Sequence, residues 1–219
     1  MAAITIRRYR NSDHDAVRLL FSEGNMEHVT AAYVFALKVP RVYIPLLLLF
    51  GCMLMVTGSY LLSVVGLVAL LAVLWWALKS KYHEYVVLCL RDDLQDIEQS
   101  YMMKTNSCFW VVEAEGRVVG TVGAQPSEHN SDEMELRRLR VVQDQRKKGI
   151  GKALCLKVID FARERGYKAV SLETDAVQYA AQNLYEHLGF KKYMVQSWKS
   201  RIGKYTTLFI MSYRYNIRA

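Results

Sequence analysis

Residues 146–153 read RKKGIGKA, three cations running directly into two glycines one residue apart. Glycine has no Cβ, so backbone built from it can approach a ligand closely. The residues that follow, Ala153 to Ala162, carry apolar side chains at helical spacing. The stretch therefore reads as a tight turn entering a helix, where free N–H groups and the helix dipole favour an anion. A Gly-x-Gly on a solvated basic loop would look the same, so the neighbouring elements must decide what the turn does.

The chain has 219 residues and a net charge of +8. That length holds one sizeable domain with a buried core plus an appendage. The positive balance suits an anionic cofactor, an anionic membrane surface or nucleic acid. Nucleic acid fits least well, because the basic residues are scattered and no zinc-finger, helix-turn-helix or RNA-binding signature appears. The five histidines and four cysteines lack metal-ligand spacing, so no metal site is expected. Cys52, Cys89, Cys108 and Cys155 are dispersed in apolar contexts. This usage fits buried free thiols in a reducing compartment better than a disulfide framework.

Several segments alternate or repeat in ways that position the glycine turn. Ile4 to Tyr9 alternates as a strand, Asn11-Ser12-Asp13 supplies a helix cap, and Val17, Leu19, Leu20 and Phe21 begin an apolar helical face. Tyr85 to Met103 predicts a helix in its second part, with Leu94, Ile97 and Tyr101 on one stripe. A hairpin follows: Cys108 to Ala114, a turn at Glu115-Gly116-Arg117, then Val118 to Ala124. Glu128 to Glu133 reads as polar loop and Met134 to Val142 as the strand leading into the glycine turn. In that strand Leu136, Leu139 and Val141 break strict alternation, which predicts a bulge. Ala169 to Glu173 is a further strand and Tyr179 to Leu188 a short helix stopped by Gly189. Phe190 opens another strand, and Thr206 to Met211 is expected to add an edge strand.

From Val42 to Leu78 no residue is charged, a run of 37. It does not start at the N-terminus, so it is not read as a signal peptide. One straight helix of that length would span roughly 55 Å at 1.5 Å per residue, against a bilayer core of about 30 Å. Two spans turning near Gly58-Ser59 fit better: Val42 to Thr57 and Tyr60 to Leu78. The first contains Pro45 and Gly51, so it could tilt, kink or only re-enter the membrane. Lys38 and Arg41 flank one end and Lys79 and Lys81 the other, which predicts a hairpin with both ends on the cytosolic side. The expected organisation is residues 1–35 as the first strand and helix of a domain, 36–80 as a membrane hairpin, and 81–219 as the rest of the same domain.

Arg146, Gly149 and Gly151 after a strand match the Gln/Arg-x-x-Gly-x-Gly/Ala signature of the GNAT superfamily, acetyl-CoA-dependent N-acetyltransferases. Ala181, Leu184, Tyr185, Gly189 and Phe190 match its later Ala-x-x-Leu-Tyr-x-x-x-Gly-Phe pattern. The chain resembles this superfamily everywhere except residues 36–80. The hydrophobic insertion after the first helix, together with LKVPR, TNSCFWV and LGFKK, is similar to the camello-like subgroup. That subgroup includes cysteine-S-conjugate and aspartate N-acetyltransferases, and the overall length is nearer the former. The resemblance implies an α/β fold, a mixed and mostly antiparallel sheet flanked by helices and interrupted by the hairpin. It also implies an endoplasmic-reticulum membrane location with the domain and both termini facing the cytosol.

Acetyl transfer to an amine requires loss of a proton from the ammonium, a donor set for the oxyanion and a proton for the departing thiolate. Direct transfer in a ternary complex takes much of its rate from positioning. By resemblance, Glu135 stands where some members have a glutamate base and Tyr185 where many have a general-acid tyrosine. Glu135 is as readily a solvated strand-end carboxylate, and the alternative for Tyr185 is an aromatic packed in its helix. The resemblance further assigns acetyl-CoA to Arg146, Lys147, Lys148, Gly149, Ile150, Gly151, Lys152 and Ala153, to Leu139, Val141 and Val142 beside the bulge, and to Gln178 and Asn183. Lys147 and Lys148 are as readily a solvated face. Gln178 departs from the family's usual Asn, and no tidy acidic or histidine base is evident on the substrate side. The expected partners are acetyl-CoA, a small-molecule amine and membrane lipid. A cysteine S-conjugate is the favoured acceptor; a protein lysine acetyltransferase and a non-catalytic membrane scaffold are the competing readings.

Overall fold

A computed structural model describes residues 4–198, 206 and 208–217. The chain begins with β1 (Ile4–Arg8), a 3-10 turn (Asn11–Asp13), and the helices α1 (His14–Met26), α2 (His28–Leu37), α3 (Pro40–Thr57) and α4 (Tyr60–Arg91). The strands β2 (Cys108–Ala114), β3 (Arg117–Pro126) and β4 (Glu133–Val141) follow. The remainder is α5 (Ile150–Glu164), β5 (Ala169–Asp175), α6 (Tyr179–His187), β6 (Lys191–Ser197) and β7 (Phe209–Asn216). Among the described residues seven strands form one sheet in the order β1-β2-β3-β4-β5-β7-β6, in which only β4 and β5 pair in parallel.

Each sheet face is covered by helices whose apolar stripe the sequence supplies. On one face α5 buries Ile150, Leu154, Cys155, Val158, Ile159 and Ala162 against Met134, Leu136, Val170 and Leu172. On the other, Val17 and Phe21 of α1 and Val86 and Cys89 of α4 pack over Tyr9, Phe109 and Val111. A third cluster joins α2 to α4 through Val29, Ala32, Ala36, Leu78 and Tyr82.

The uncharged run forms two antiparallel helices. Gly58 adopts φ 62° and caps α3, and the Ser59 hydroxyl accepts from the Leu62 N–H to start α4. Both helices are long and apolar enough to cross a membrane. Their outer faces are bare: Leu48, Val56, Leu61 and Trp76 are all exposed. Where they touch, the end of the Met53 side chain lies over Gly66 in the space a Cβ would take.

Three expectations need correction. The helix predicted in the second part of Tyr85–Met103 lies in its first part, because α4 runs unbroken to Arg91. Beyond it the chain turns, and Glu98–Met102 forms a π-type turn that still buries Tyr101. The strand expected at the sheet edge, β7, sits inside the sheet between β5 and β6, so β6 is the edge. Thr206 lies before that strand and Thr207 outside the described residues. All four cysteines are free, but Cys52 is exposed on α3 rather than buried.

Candidate active site

The central feature is a parting of strands. The parallel pair registers only at Glu133↔Ala169, Met134↔Val170 and Glu135↔Ser171, after which β4 and β5 separate. Above that point β4 is irregular. Its register with β3 slips between Thr121 and Gly123, the predicted bulge, and Arg138 opposite takes φ 56°. A non-glycine residue there is strained and persists only where neighbours fix it. The Thr121 hydroxyl donates to the Arg138 carbonyl at 2.9 Å. The Arg138 guanidinium grips Asp93 with two bonds, 2.9 and 2.5 Å. Both side chains are about nine-tenths buried, at 6% and 7% exposure. The Tyr101 hydroxyl donates to the same carboxylate, and Phe21 lies 5.0 Å beneath the guanidinium. Burial disfavours the Asp93 carboxylate, but the Arg138 bonds outweigh it and hold this acid below the ordinary carboxylate range.

Beyond the bulge lies the glycine turn. Gly149, at φ 82°, is the N-cap of α5, and no side chain caps the helix. The first-turn N–H groups of α5 are therefore left for water or a ligand. Lys147 is also left-handed, at φ 63°, the kind of turn that directs backbone N–H groups into an anion-binding nest. A Cβ on Gly149 would meet nothing within 4 Å, whereas one on Gly151 would press the Leu184 side chain of α6 at 3.1 Å. The first glycine serves conformation and open approach; the second serves close packing. The turn thus fits an anionic diphosphate such as that of acetyl-CoA.

The cations beside it behave differently from one another. Arg146 donates Nε to the Val141 carbonyl at 3.0 Å and pairs with Glu27 at 2.6 Å, so it braces the turn against the α1–α2 junction. Lys148 donates to Gln145 at 2.9 Å, while Lys147 and Lys152 are exposed. Ile150 is buried and the Ala153 N–H closes the first helical turn onto Gly149. Val142 donates its N–H to Val119 and accepts from Gln145, so its backbone is engaged within the protein. Leu139 and Val141 are half-buried against the core. Gln178 accepts from Thr174 at 3.1 Å, and the Asn183 carbonyl faces His187.

Glu135 is half-buried and 3.7 Å from Arg137. Burial raises its pKa, with Arg137 opposing. Tyr185 is buried between Phe190 and Tyr213, with ring centroids at 5.8 and 6.0 Å. Burial pushes its phenol well above the ordinary value, so it stays protonated at neutral pH. Among the described residues nothing hydrogen-bonds its hydroxyl, and no cluster of His, Cys, Asp or Glu could hold a metal ion.

Sequence reasoning overlooked the groups on the α1 and α4 side. Arg140 donates to Asn25 at 2.5 Å and to the Leu139 carbonyl at 2.9 Å, with Nε buried and unpaired. Burial lowers its pKa. His28 is held neutral, pushed down to about 4 by burial and by Arg140. Asp175 at the end of β5 accepts from the Tyr82 hydroxyl of α4 at 2.7 Å. Period-two alternation marks Ser171, Glu173 and Asp175 as one face of β5, but nothing local says what α4 brings to it.

A seven-stranded sheet that parts beside a strained bulge, with a glycine turn starting the next helix, defines an acetyl-transferring class of enzyme. Residues 70–190 match the acetyltransferase (GNAT) family, and the chain belongs to that family. It is 49% identical to the Xenopus tropicalis protein named "Probable N-acetyltransferase camello" over 219 residues, all of both chains. It is 43% identical to human N-acetyltransferase 8B, covering 88% of this chain and 86% of that one. A GNAT-family acetyltransferase from Staphylococcus aureus Mu50 shares the fold, with a TM-score of 0.59 at 18% identity over 99% of this chain and 100% of that one. The protein is an acetyl-CoA-dependent N-acetyltransferase.

Proposed function

We propose that the protein is a membrane-anchored N-acetyltransferase acting on the α-amine of an amino acid derivative, with a cysteine S-conjugate as the acceptor. The observation that carries this is the continuity of α4, whose apolar half is bare and whose other half packs into the domain core and, through Tyr82, reaches Asp175 at the end of β5 in the cleft where β4 and β5 part. Anchored so, the cleft would meet amphiphilic acceptors, which pair a polar amino-acid head with an apolar tail, where they partition. We place the domain and both termini in the cytosol, at the endoplasmic reticulum.

In this reading acetyl-CoA supplies the thioester whose acetyl group is transferred. The first turn of α5 and the Lys147–Gly149 backbone hold its diphosphate. Backbone near the bulge, at Leu139 and Val141, lies along its pantetheine arm. Asn183 and Gln178 approach from α6, and Arg146 acts as a brace for the turn. Glu135 draws a proton from the acceptor ammonium, directly or through water, and the protonated Tyr185 hydroxyl supplies one to the leaving sulfur. The test is a radiolabelled acetyl-CoA assay in detergent with free amino acids, S-benzylcysteine and a lysine peptide as acceptors. S-benzylcysteine should be the best of these, and preference for the lysine peptide would overturn the acceptor assignment.

A further inference from the structure

We propose that Asp175, oriented by Tyr82 of the membrane-hairpin helix, accepts the proton from the acceptor amine. The proposal rests on the acetyltransferase reading and puts Asp175 in the proton-accepting role that this reading gives to Glu135.

Position is the first argument. β4 and β5 are in register at Glu135↔Ser171 and then part. Four residues beyond that last pair, Asp175 lies on the parted stretch of β5, and over the same count β4 passes through its bulge at Arg138. Glu135 lies about 13 Å lower at about 3.3 Å per residue, where the strands are still joined. A base should stand within hydrogen-bond reach of the nitrogen it serves, directly or through one water. Asp175 stands on the parted stretch and Glu135 on the joined one.

The second argument is an unmet bond. Oδ2 of Asp175 accepts from Tyr82, which fixes the carboxylate. Oδ1 is buried and has no hydrogen-bond partner among the described residues. Buried carboxylate oxygens are rarely left so, and an orphan in a cleft calls for a ligand, an ion or water. An ammonium is a matching donor. The Nε of Arg140, whose charge acts on Asp175, is likewise buried without a partner among the described residues.

The groups that act on Asp175 agree with the role. Burial raises its pKa to about 6; the Tyr82 hydroxyl, the Ala176 and Val177 N–H groups at longer range, and Arg140 oppose that rise. From α6 the Gln182 amide donates to the backbone carbonyls of Asp175 and Ala176, at 3.0 and 2.9 Å. Such a carboxylate is ionised at neutral pH yet more basic than an ordinary aspartate. The proton balance is simple. One proton passes from the ammonium nitrogen to Asp175 Oδ1 and on to water. As the C–N bond forms and the C–S bond breaks, Asp175, ionised again, takes the second proton from the nitrogen while Tyr185 gives its own to the sulfur; the proton on Asp175 then returns through water to the Tyr185 oxygen, leaving amide and thiol.

The test uses the full chain in detergent with acetyl-CoA and both S-benzylcysteine and a lysine peptide. Asp175→Asn should lower kcat by about 10²–10⁴-fold with acetyl-CoA affinity unchanged, and should abolish the acid limb of the pH–rate profile near 6. Glu135→Gln should keep that limb. Asp175→Asn within threefold of the parent, or loss of the limb in Glu135→Gln instead, overturns the proposal. If the parent acetylates only the peptide, the acceptor assignment falls while the Asp175 result still stands. A parent inactive on both acceptors sinks both.

Discussion

Substituting Asp93→Asn tests whether the bulge is held by the buried pair. Arg138 would lose the opposing charge and one of its two acceptors, an amide NH2 group standing in its place, and Tyr101 would keep at most a neutral acceptor. Two unit charges about 4 Å apart attract by about 4 kcal/mol at an effective dielectric near 20. Breaking a buried pair from one side costs about 3–5 kcal/mol, because the remaining charge is left uncompensated. Set against a total stability of about 5–15 kcal/mol, that loss is large but survivable. Denaturant unfolding in a fixed detergent, monitored by tryptophan fluorescence, would measure it. The pH dependence adds a second check. The Asp93 pKa is lowered in the folded state, so its contribution is complete above the ordinary aspartate value of about 3.9 and fades as pH falls through the depressed one. The gap between parent and variant should be full at pH 7 and shrink on acidification below about 4. A gap under about 1 kcal/mol at pH 7 would place the pair with surface ion pairs and refute the reasoning.

Other outcomes follow from the site. Gly149→Glu and Gly151→Glu should each abolish acetyl-CoA binding in calorimetry, the first by charge and backbone strain, the second by collision with Leu184; unchanged affinity in both would remove the cradle. Tyr185→Phe should fold normally and lower kcat by about 10²–10⁴-fold, whereas a parent-like rate would leave the ring a packing group only. In intact microsomes, tags at residues 1 and 219 should both be open to added protease. A glycosylation site near Gly58-Ser59 should be modified only where the turn reaches the lumen, and protection of one terminus alone would break the hairpin arrangement.

What could be read from the chain was local. The β2–β3 hairpin announced itself by alternation around Glu115-Gly116, and the α5 turn by glycine at a left-handed position. The α3–α4 turn was visible because an uncharged run of 37 must fold back. The bulge showed as a broken alternation in β4, though its cause did not. Arg138 meets Asp93 across 45 positions, Arg140 meets Asn25 across 115, and Tyr82 meets Asp175 across 93. No periodicity carries such pairings, because they depend on how helices seat on the sheet. Misplacing the helix near Tyr85 had the same origin: the apolar stripe Leu94, Ile97 and Tyr101 is buried by a turn and a π-type turn, which mimic helical spacing without the helix.

The unbroken course of α4 also dictates how this protein can be cut. The 32-residue helix has no joint between its bare half and the half that carries Leu78, Tyr82, Val86 and Cys89 into the interior. Trimming the whole helix to obtain a lipid-free enzyme would remove part of the core and the hydroxyl that holds Asp175. Yet Ala36 and Leu78 lie in one cluster, so the two ends of the hairpin come close together at the domain surface. A short glycine-serine bridge from Lys38 to Ala77 would excise the apolar arms and keep the buried Leu78, Tyr82, Val86 and Cys89 of the lower helix in place. The boundary for a soluble version is therefore set by packing, one turn above Tyr82, and not by where the hydrophobic sequence stops.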